Sequence, residues 1–258
     1  MDKNAEFPQV AAALGFGHVE VGTITPNRQL GNPRPRIFRY RNSQAIVNRM
    51  GFNNDGAKTI TARIARHYPR GERPSPLGIN VGKAKSTDLD AAEDDYIAAF
   101  KIVAEQADYV TINISSPNTP SLRTLQEANR LDPLLKAICE ANIELSSKMG
   151  CPRVPILLKI SPDESFCSLD LILELAFHHG IDGIIATNTT LSRSASGAEQ
   201  CLENGGLSGA PLSQRSTEVV RYLSKASQGH IPLIGVGGIL DSASASEKLD
   251  AGASLVQI

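Results

Sequence analysis

The sequence is short of cysteine, of charge imbalance and of long apolar runs, and each shortage excludes a class of protein. Its four cysteines, Cys139, Cys151, Cys167 and Cys201, lie far apart with no C-x-x-C among them. That spacing fits reduced thiols in a packed interior rather than a disulfide framework or a zinc site. The 26 basic side chains are matched by 27 acidic ones, so the basic excess of a nucleic-acid-binding domain is missing. No apolar run approaches the ~20 residues of a membrane helix, and no signal-peptide core opens the chain. As given, the polypeptide reads as a soluble domain of intracellular type. H-E-x-x-H and G-x-S-x-G are both absent, which removes support for a metal hydrolase or an esterase, and no metal site is expected. Among the histidines, His178 and His179 close a predicted helix, where the helix dipole accounts for them.

What is present is a repeating alternation. With 258 residues, 41% of them apolar, the chain can bury a substantial core. Apolar, β-rich runs at 18–25, 76–83, 108–115, 154–161, 183–189, 231–238 and 254–258 predict seven strands. Between them, amphipathic stretches predict helices at 7–15, 55–68, 88–107, 132–150, 168–179, 212–227 and 242–251. Such βα repetition means a parallel sheet, either open and doubly wound or closed as a (β/α)8 barrel. Polar residues stand at the C-terminal end of nearly every strand (Thr23, Asn80, Asn113, Lys159, Thr187–Asn188, Gly237–Gly238), and no G-x-G-x-x-G opens an early unit. A closed barrel gathers all its strand ends at one mouth, whereas an open sheet binds at one switch point. The expectation is therefore one (β/α)8 TIM-type barrel domain over residues 1–258. Its first strand and last helix are apparently missing, because no strand precedes the first helix and the chain stops at a strand.

The strand ends carry the candidate chemistry. "NISSPNTP" (113–120) abandons β preference abruptly after "DYVTI", which suits either a turn or a row of groups facing a ligand. Lys159 lies in an apolar strand; it is either a snorkelling side chain or a fixed cation beside an electron-accepting or anionic ligand. Lys3 precedes the first helix and would face the same mouth. "GGLSG" (205–209) and "GVGG" (235–238) offer small flexible loops suited to a phosphate, although tight turns use glycine for steric reasons alone. Asn48, Asn80, Asn113, Asn118 and Asn188 both donate and accept. Several converging asparagines suit a planar ring with alternating imide groups, while any one alone could be a turn residue.

These stretches resemble a known family. "VGTITPNRQLGNPRPRIFR", "NRMGFNN", "NISSPNTPSLRTLQ", "ATNTTLSR", "GGLSGAPL" and "GVGGI" together are similar to dihydroorotate dehydrogenase, a flavoprotein oxidoreductase of pyrimidine biosynthesis. The likeness runs from Lys3 to Ile258. It is closest to the quinone-reducing class 2, since class 1 enzymes carry a cysteine where this chain has Ser116. The resemblance implies an FMN-binding (β/α)8 barrel that oxidises (S)-dihydroorotate to orotate. The hydride goes to FMN N5 and the proton to a serine base, and FMN is reoxidised by a quinone. By motif, Ser116 matches the catalytic base and Thr119 the hydroxyl that helps relay its proton. Lys3, Asn48, Arg49, Met50, Gly51, Phe52, Asn113, Asn118, Asn188 and Thr189 match the pyrimidine-binding positions. Thr23, Asn80, Asn113, Lys159, Thr187, Gly209 and Gly238 match the FMN-binding ones.

Two departures accompany the likeness. The class 2 N-terminal helical segment, which docks on the membrane and forms the quinone tunnel, is absent from this chain, and so is the Tyr-Ser or Tyr-Thr pair that follows the last strand. Peripheral membrane association is accordingly expected of the full-length protein and not of this fragment. Two other readings stand beside the first: a related FMN barrel acting on another pyrimidine-like ring, and a non-catalytic FMN-binding scaffold.

Overall fold

The structure, a computed structural model, describes residues 2–258. In chain order its first half contains α1 (Pro8–Ala13), β1 (Val19–Ile24), β2 (Ile37–Tyr40), β3 (Ala45–Asn48), α2 (Ala57–His67), β4 (Leu77–Val81), α3 (Ala92–Val103), β5 (Tyr109–Asn113) and α4 (Ala128–Met149). The second half contains β6 (Ile156–Ile160), α5 (Phe166–His179), β7 (Gly183–Ala186), β8 (Gly206–Gly209), α6 (Ser213–Ala226), β9 (Leu233–Val236), α7 (Ser242–Asp250) and β10 (Leu255–Gln257). All seven strands expected from apolar runs form, and the α/β alternation holds. The chain clusters into two compact units.

The first unit comprises residues 2–32, 51–113 and 132–157. Its strands β1, β4 and β5 are parallel, with Val19 opposite Leu77 and Gly78 opposite Tyr109. Val21, Ile24, Leu77, Ile79, Val110 and Ile112 are buried, as are Ile60 and Ile64 of α2 and Tyr96 and Phe100 of α3. At roughly 1.5–3 kcal/mol per fully buried large apolar side chain, these contacts account for the helices docking where they do. The β1–β4 register shifts between Gly22 and Ile24. Gly22 is required there, because a Cβ on it would lie 2.5 Å from the Asn80 carbonyl. α4 starts four residues ahead of the expected position. Glu127 O accepts N–H bonds from Arg130 and Leu131, so Pro133 falls inside the helix rather than at its first position, where proline is usually found.

The second unit comprises residues 33–50, 114–131 and 158–258, and β6 runs from one unit into the other. Here β7, β9 and β10 are parallel, with Ile184 opposite Leu233 and Leu255 opposite Ile234. A separate three-stranded antiparallel sheet, β2-β3-β8, is not expected from the apolar runs. Ala45, Val47, Leu207, Ala198 and Cys201 form a small core beneath it, flanked by Phe38 and Tyr40.

That sheet corrects the expectation for "GGLSG". Rather than a flexible loop with free N–H groups, residues 206–209 are a strand with Gly206 opposite Asn48 and Gly209 opposite Ala45. Close approach explains the glycines: a Cβ on Gly205 would lie 2.3 Å from the Asn48 carbonyl oxygen, and one on Gly209 2.2 Å from that of Gln44. The thiols also differ from expectation. All four are free, but only Cys201 is buried, and Cys167 is exposed on α5.

Candidate active site

The first unit collects its polar strand ends into one buried network. Thr23 Oγ1 donates to Asn80 Oδ1 at 2.6 Å, and Asn113 Nδ2 reaches both Asn80 Oδ1 and Thr23 Oγ1 at 3.1 Å. Asn80 Nδ2 and Thr111 Oγ1 each donate to the Glu20 carboxylate at 2.9 Å. Alternation puts Thr111 and Asn113 on one face of β5. The irregularity between Gly22 and Ile24 lets Glu20 and Thr23, three residues apart on β1, join the same network, whose mutual bonds fix each amide's orientation. Glu20 is not among the residues expected from motifs, since an acid inside a strand gives none.

Around this network the first unit places three more expected residues. Residues 2–7 are tied to the end of β1, where Gly22 N–H donates to Asp2 O at 3.1 Å. The Asp2 carboxylate accepts N–H bonds from Asn4, Glu6 and Phe7, which sets half-buried Lys3 beside that strand end. Phe52 is buried with φ at +52°. Its ring and the Thr23 methyl group both crowd Gly82, where an added Cβ would approach within 2.8 and 2.7 Å respectively. Gly51, at φ +68°, turns against Asn32, and its carbonyl accepts from Gln29 Nε2 at 2.9 Å.

The second unit holds the "SSPNT" loop. Ser116 is buried and its Oγ accepts the Asn118 N–H at 3.3 Å, a local turn of the kind serine favours. Thr119 is buried too, and its Oγ1 has no hydrogen-bond partner among the described residues. No hydrogen bond joins Ser116 to Thr119 among these residues. Asn118 Nδ2 donates to both oxygens of Asn48, 3.0 Å to the backbone and 3.2 Å to the side chain. Asn188 Nδ2 donates to Ser115 Oγ at 3.0 Å, and Asn188 Oδ1 accepts the Thr189 N–H at 2.8 Å. The antiparallel sheet carries Asn48 at the end of β3. Beyond it Arg49 pairs with Glu203 at 3.2 Å and lies 4.6 Å over the Phe38 ring, and Met50 N–H donates to Asn48 Oδ1 at 3.4 Å.

The remaining expected positions lie at other strand ends of the second unit. Thr187 follows β7, with its N–H on Val236 O at 2.9 Å and its hydroxyl on Asn188 O at 3.0 Å. Lys159 is half-buried near the end of β6. Gly238, at φ +71°, abuts the start of α6, where a Cβ would lie 2.3 Å from Ser213 Cα. Gly209 lies in β8, as described above. Ser115, Arg123 and Asp163 also belong to this region without being expected from motifs. Arg123 and Asp163 form an ion pair at 2.6 Å; Arg123 lies inside the family-like stretch "NISSPNTPSLRTLQ", but neither charge shows a role until those loops are placed together. Among the described residues no group of three or more potential metal ligands occurs.

Comparison with known proteins follows the same lines. The family model described as dihydroorotate dehydrogenase matches residues 1–258. The "Dihydroorotate dehydrogenase (quinone)" of Acidithiobacillus ferrooxidans is 50% identical over 259 residues, covering 100% of this chain and 70% of the relative. That of Synechococcus sp. is 47% identical over 273 residues, covering 100% of this chain and 69% of the relative. The crystal structure of DHODH from Eimeria tenella in complex with ferulenol matches with a TM-score of 0.93 and 40% identity, over 100% of this chain and 73% of that one. The fold class is accordingly the α/β, TIM-barrel type expected from the alternation of strands and helices. Family match, identity and shared fold agree over the whole sequence, and the chain belongs to the dihydroorotate dehydrogenase family.

Proposed function

We propose that this chain catalyses the oxidation of (S)-dihydroorotate to orotate in pyrimidine biosynthesis, with a quinone as the final electron acceptor. The observation that carries the reading is the pair of buried hydroxyls in the second unit. Ser116 Oγ already accepts one N–H, and Thr119 Oγ1 has no partner of its own. A buried hydroxyl without a partner is costly, and such a cost persists where a ligand or a proton path supplies what is missing.

The reaction removes a proton from C5 and a hydride from C6 of the substrate. Ser116 is assigned as the base at C5. A serine hydroxyl is a weak base and must give up its own proton as it takes one. The Asn118 N–H aimed at Ser116 Oγ favours negative charge on that oxygen while this happens, and Thr119 Oγ1 provides an acceptor for the displaced proton. Asn48, Asn118, Asn188 and Thr189 would read the amide edges of the pyrimidine ring, with Arg49 and Met50 shaping the same segment. In the first unit Lys3 would pair with the substrate carboxylate, and Gly51, Phe52 and Asn113 would border the ring.

The family is flavin-dependent, and the donor set here fits FMN. Thr23, Asn80 and Asn113 form a buried, preoriented amide–hydroxyl network of the kind an isoalloxazine edge requires. These residues with Lys159, Thr187, Gly209 and Gly238 would hold FMN, Lys159 as the fixed cation. When bound, FMN supplies the two-electron acceptor that a quinone then reoxidises.

Exposed apolar side chains support a lipid-soluble acceptor and peripheral membrane association of the full-length protein. Phe7, Val10, Leu14 and Phe16 are 62%, 47%, 73% and 42% exposed, an unusual concentration on and beside the short helix α1. No helix among the described residues is long and apolar enough to cross a membrane.

The test is anaerobic addition of dihydroorotate to the purified flavoprotein. Bleaching of the flavin band, reversed by a quinone and not by fumarate or NAD, is the expected result. A yellow protein that ignores dihydroorotate would overturn the substrate assignment.

A further inference from the structure

Arg123 takes no part in the chemistry above, yet it bonds the residue before Ser116 and the backbone of Thr189. Its Nε donates to Ser115 O at 3.1 Å, its Nη2 to Thr189 O at 2.9 Å and its Nη1 to Asp163 Oδ2 at 2.6 Å. One planar guanidinium thus spans the residue before Ser116, the loop after β7 and the loop after β6. Asp163 completes the arrangement, because its carboxylate also accepts from Thr190 Oγ1 and from the Leu191 N–H. Both side chains are largely shielded, 21% and 24% exposed, respectively, which removes much of the solvent screening that makes surface pairs weak. A lysine could not do this, since it lacks the rigid fork that addresses three acceptors in fixed directions.

We propose that Arg123, held by Asp163, is the positioning residue that sets the Ser116 loop in register with the Asn188–Thr189 loop. This rests on the assignment of Ser116 as the base at C5. The carbonyl bound by Arg123 Nε belongs to the residue next to Ser116, and the carbonyl bound by Nη2 belongs to Thr189. Releasing either lets the base and the substrate-reading groups drift relative to each other. Misplacement of about 1 Å suffices to slow a positioned reaction by roughly 100-fold.

The experiment is anaerobic single-turnover flavin bleaching by dihydroorotate, with substrate carrying hydrogen or deuterium at C5. The proteins are wild type, Arg123→Ala, Arg123→Lys and Ser116→Ala. Arg123→Ala is expected to retain flavin, to bleach about 100-fold more slowly and to show a larger C5 isotope effect. Millimolar guanidinium should restore part of that rate, which a purely structural role would not allow. Arg123→Lys keeps the charge opposite Asp163 and serves if the alanine variant loses its flavin. It is expected to bleach at least about tenfold more slowly. Rates and isotope effects within about threefold of wild type in the variants that hold flavin would overturn the proposal, because a misplaced base must show in this step. If Ser116→Ala itself bleached at the wild-type rate, the base assignment would fail instead.

Discussion

A single side-chain nitrogen of Asn118 donates to both the backbone oxygen of Asn48, at 3.0 Å, and its side-chain oxygen, at 3.2 Å. The end of β3 is thereby joined to the loop that carries Ser116. Among the described residues the Asn48 side-chain nitrogen has no acceptor, so the contact also decides which face of that amide is left for a ligand. Asn118→Ala should weaken orotate binding by about 1–3 kcal/mol, since two acceptors lose their donor. Titration of the orotate-induced change in the flavin spectrum measures it, with flavin content unchanged. Affinity equal to wild type would show that Asn118 does not order the site.

Thr119 separates function from stability. Its buried Oγ1 lacks a partner among the described residues, so Thr119→Val replaces an unsatisfied hydroxyl with a methyl group of the same shape. The fold should be unharmed or stabilised by up to about 1 kcal/mol. If the hydroxyl carries the proton displaced from Ser116, flavin reduction by dihydroorotate should fall at least about tenfold, and Thr119→Ser should restore most of it. Urea unfolding and stopped-flow bleaching on the same preparations decide the matter. A valine variant both less stable and fully active would contradict both halves.

Much of this site is legible in the amino-acid sequence, and the illegible part has a physical cause. The seven parallel strands announce themselves as apolar runs, because central strands of such sheets are buried on both faces; every residue of β4 is buried. β2, β3 and β8 are four residues each with alternating or partial burial, too short for a period to stand out. "GGLSG" reads as a loop because glycine weakens strands in general. Here the glycine spacing instead records how closely β8 approaches Asn48 and Gln44. Residue types such as Ser116 and the asparagines mark a motif directly. Glu20, Arg123 and Asp163 act by holding other residues, and their partners are far away in sequence.

Lys248 yields a pH dependence of stability. The side chain is fully buried in α7, and its ammonium donates to Ser213 O at 3.1 Å, to Thr217 Oγ1 at 2.6 Å and to Ser216 Oγ. No carboxylate among the described residues pairs with it, and burial lowers its pKa from 10.5 to about 8. Below about pH 8 both folded and unfolded chains hold the proton, and the burial penalty is fully present. Between about 8 and 10.5 the unfolded chain binds a proton that the folded chain has released, so raising the pH favours the folded state. The gain is at most about 3 kcal/mol. Lys248→Met should remove this component, so the stability of wild type relative to Lys248→Met in urea unfolding should rise as pH rises through that window. A difference independent of pH would mean that the folded chain keeps Lys248 charged throughout.

The exposed apolar side chains flanking α1 allow the two proposed half-reactions to be tested separately. Phe7 and Leu14 are 62% and 73% exposed, and neither belongs to the hydroxyl and amide groups assigned to dihydroorotate. If this surface meets a lipid-soluble quinone, Phe7→Glu with Leu14→Glu should leave anaerobic bleaching by dihydroorotate unchanged. Reoxidation by a long-chain quinone should slow by about tenfold or more, because a charged pair replaces apolar contact area. A short, water-soluble quinone would be affected less, since it has little apolar chain to bury. Equal slowing with both quinones would place the acceptor elsewhere, and slowed bleaching would mean that the substitutions had disturbed residues 2–7 and with them Lys3.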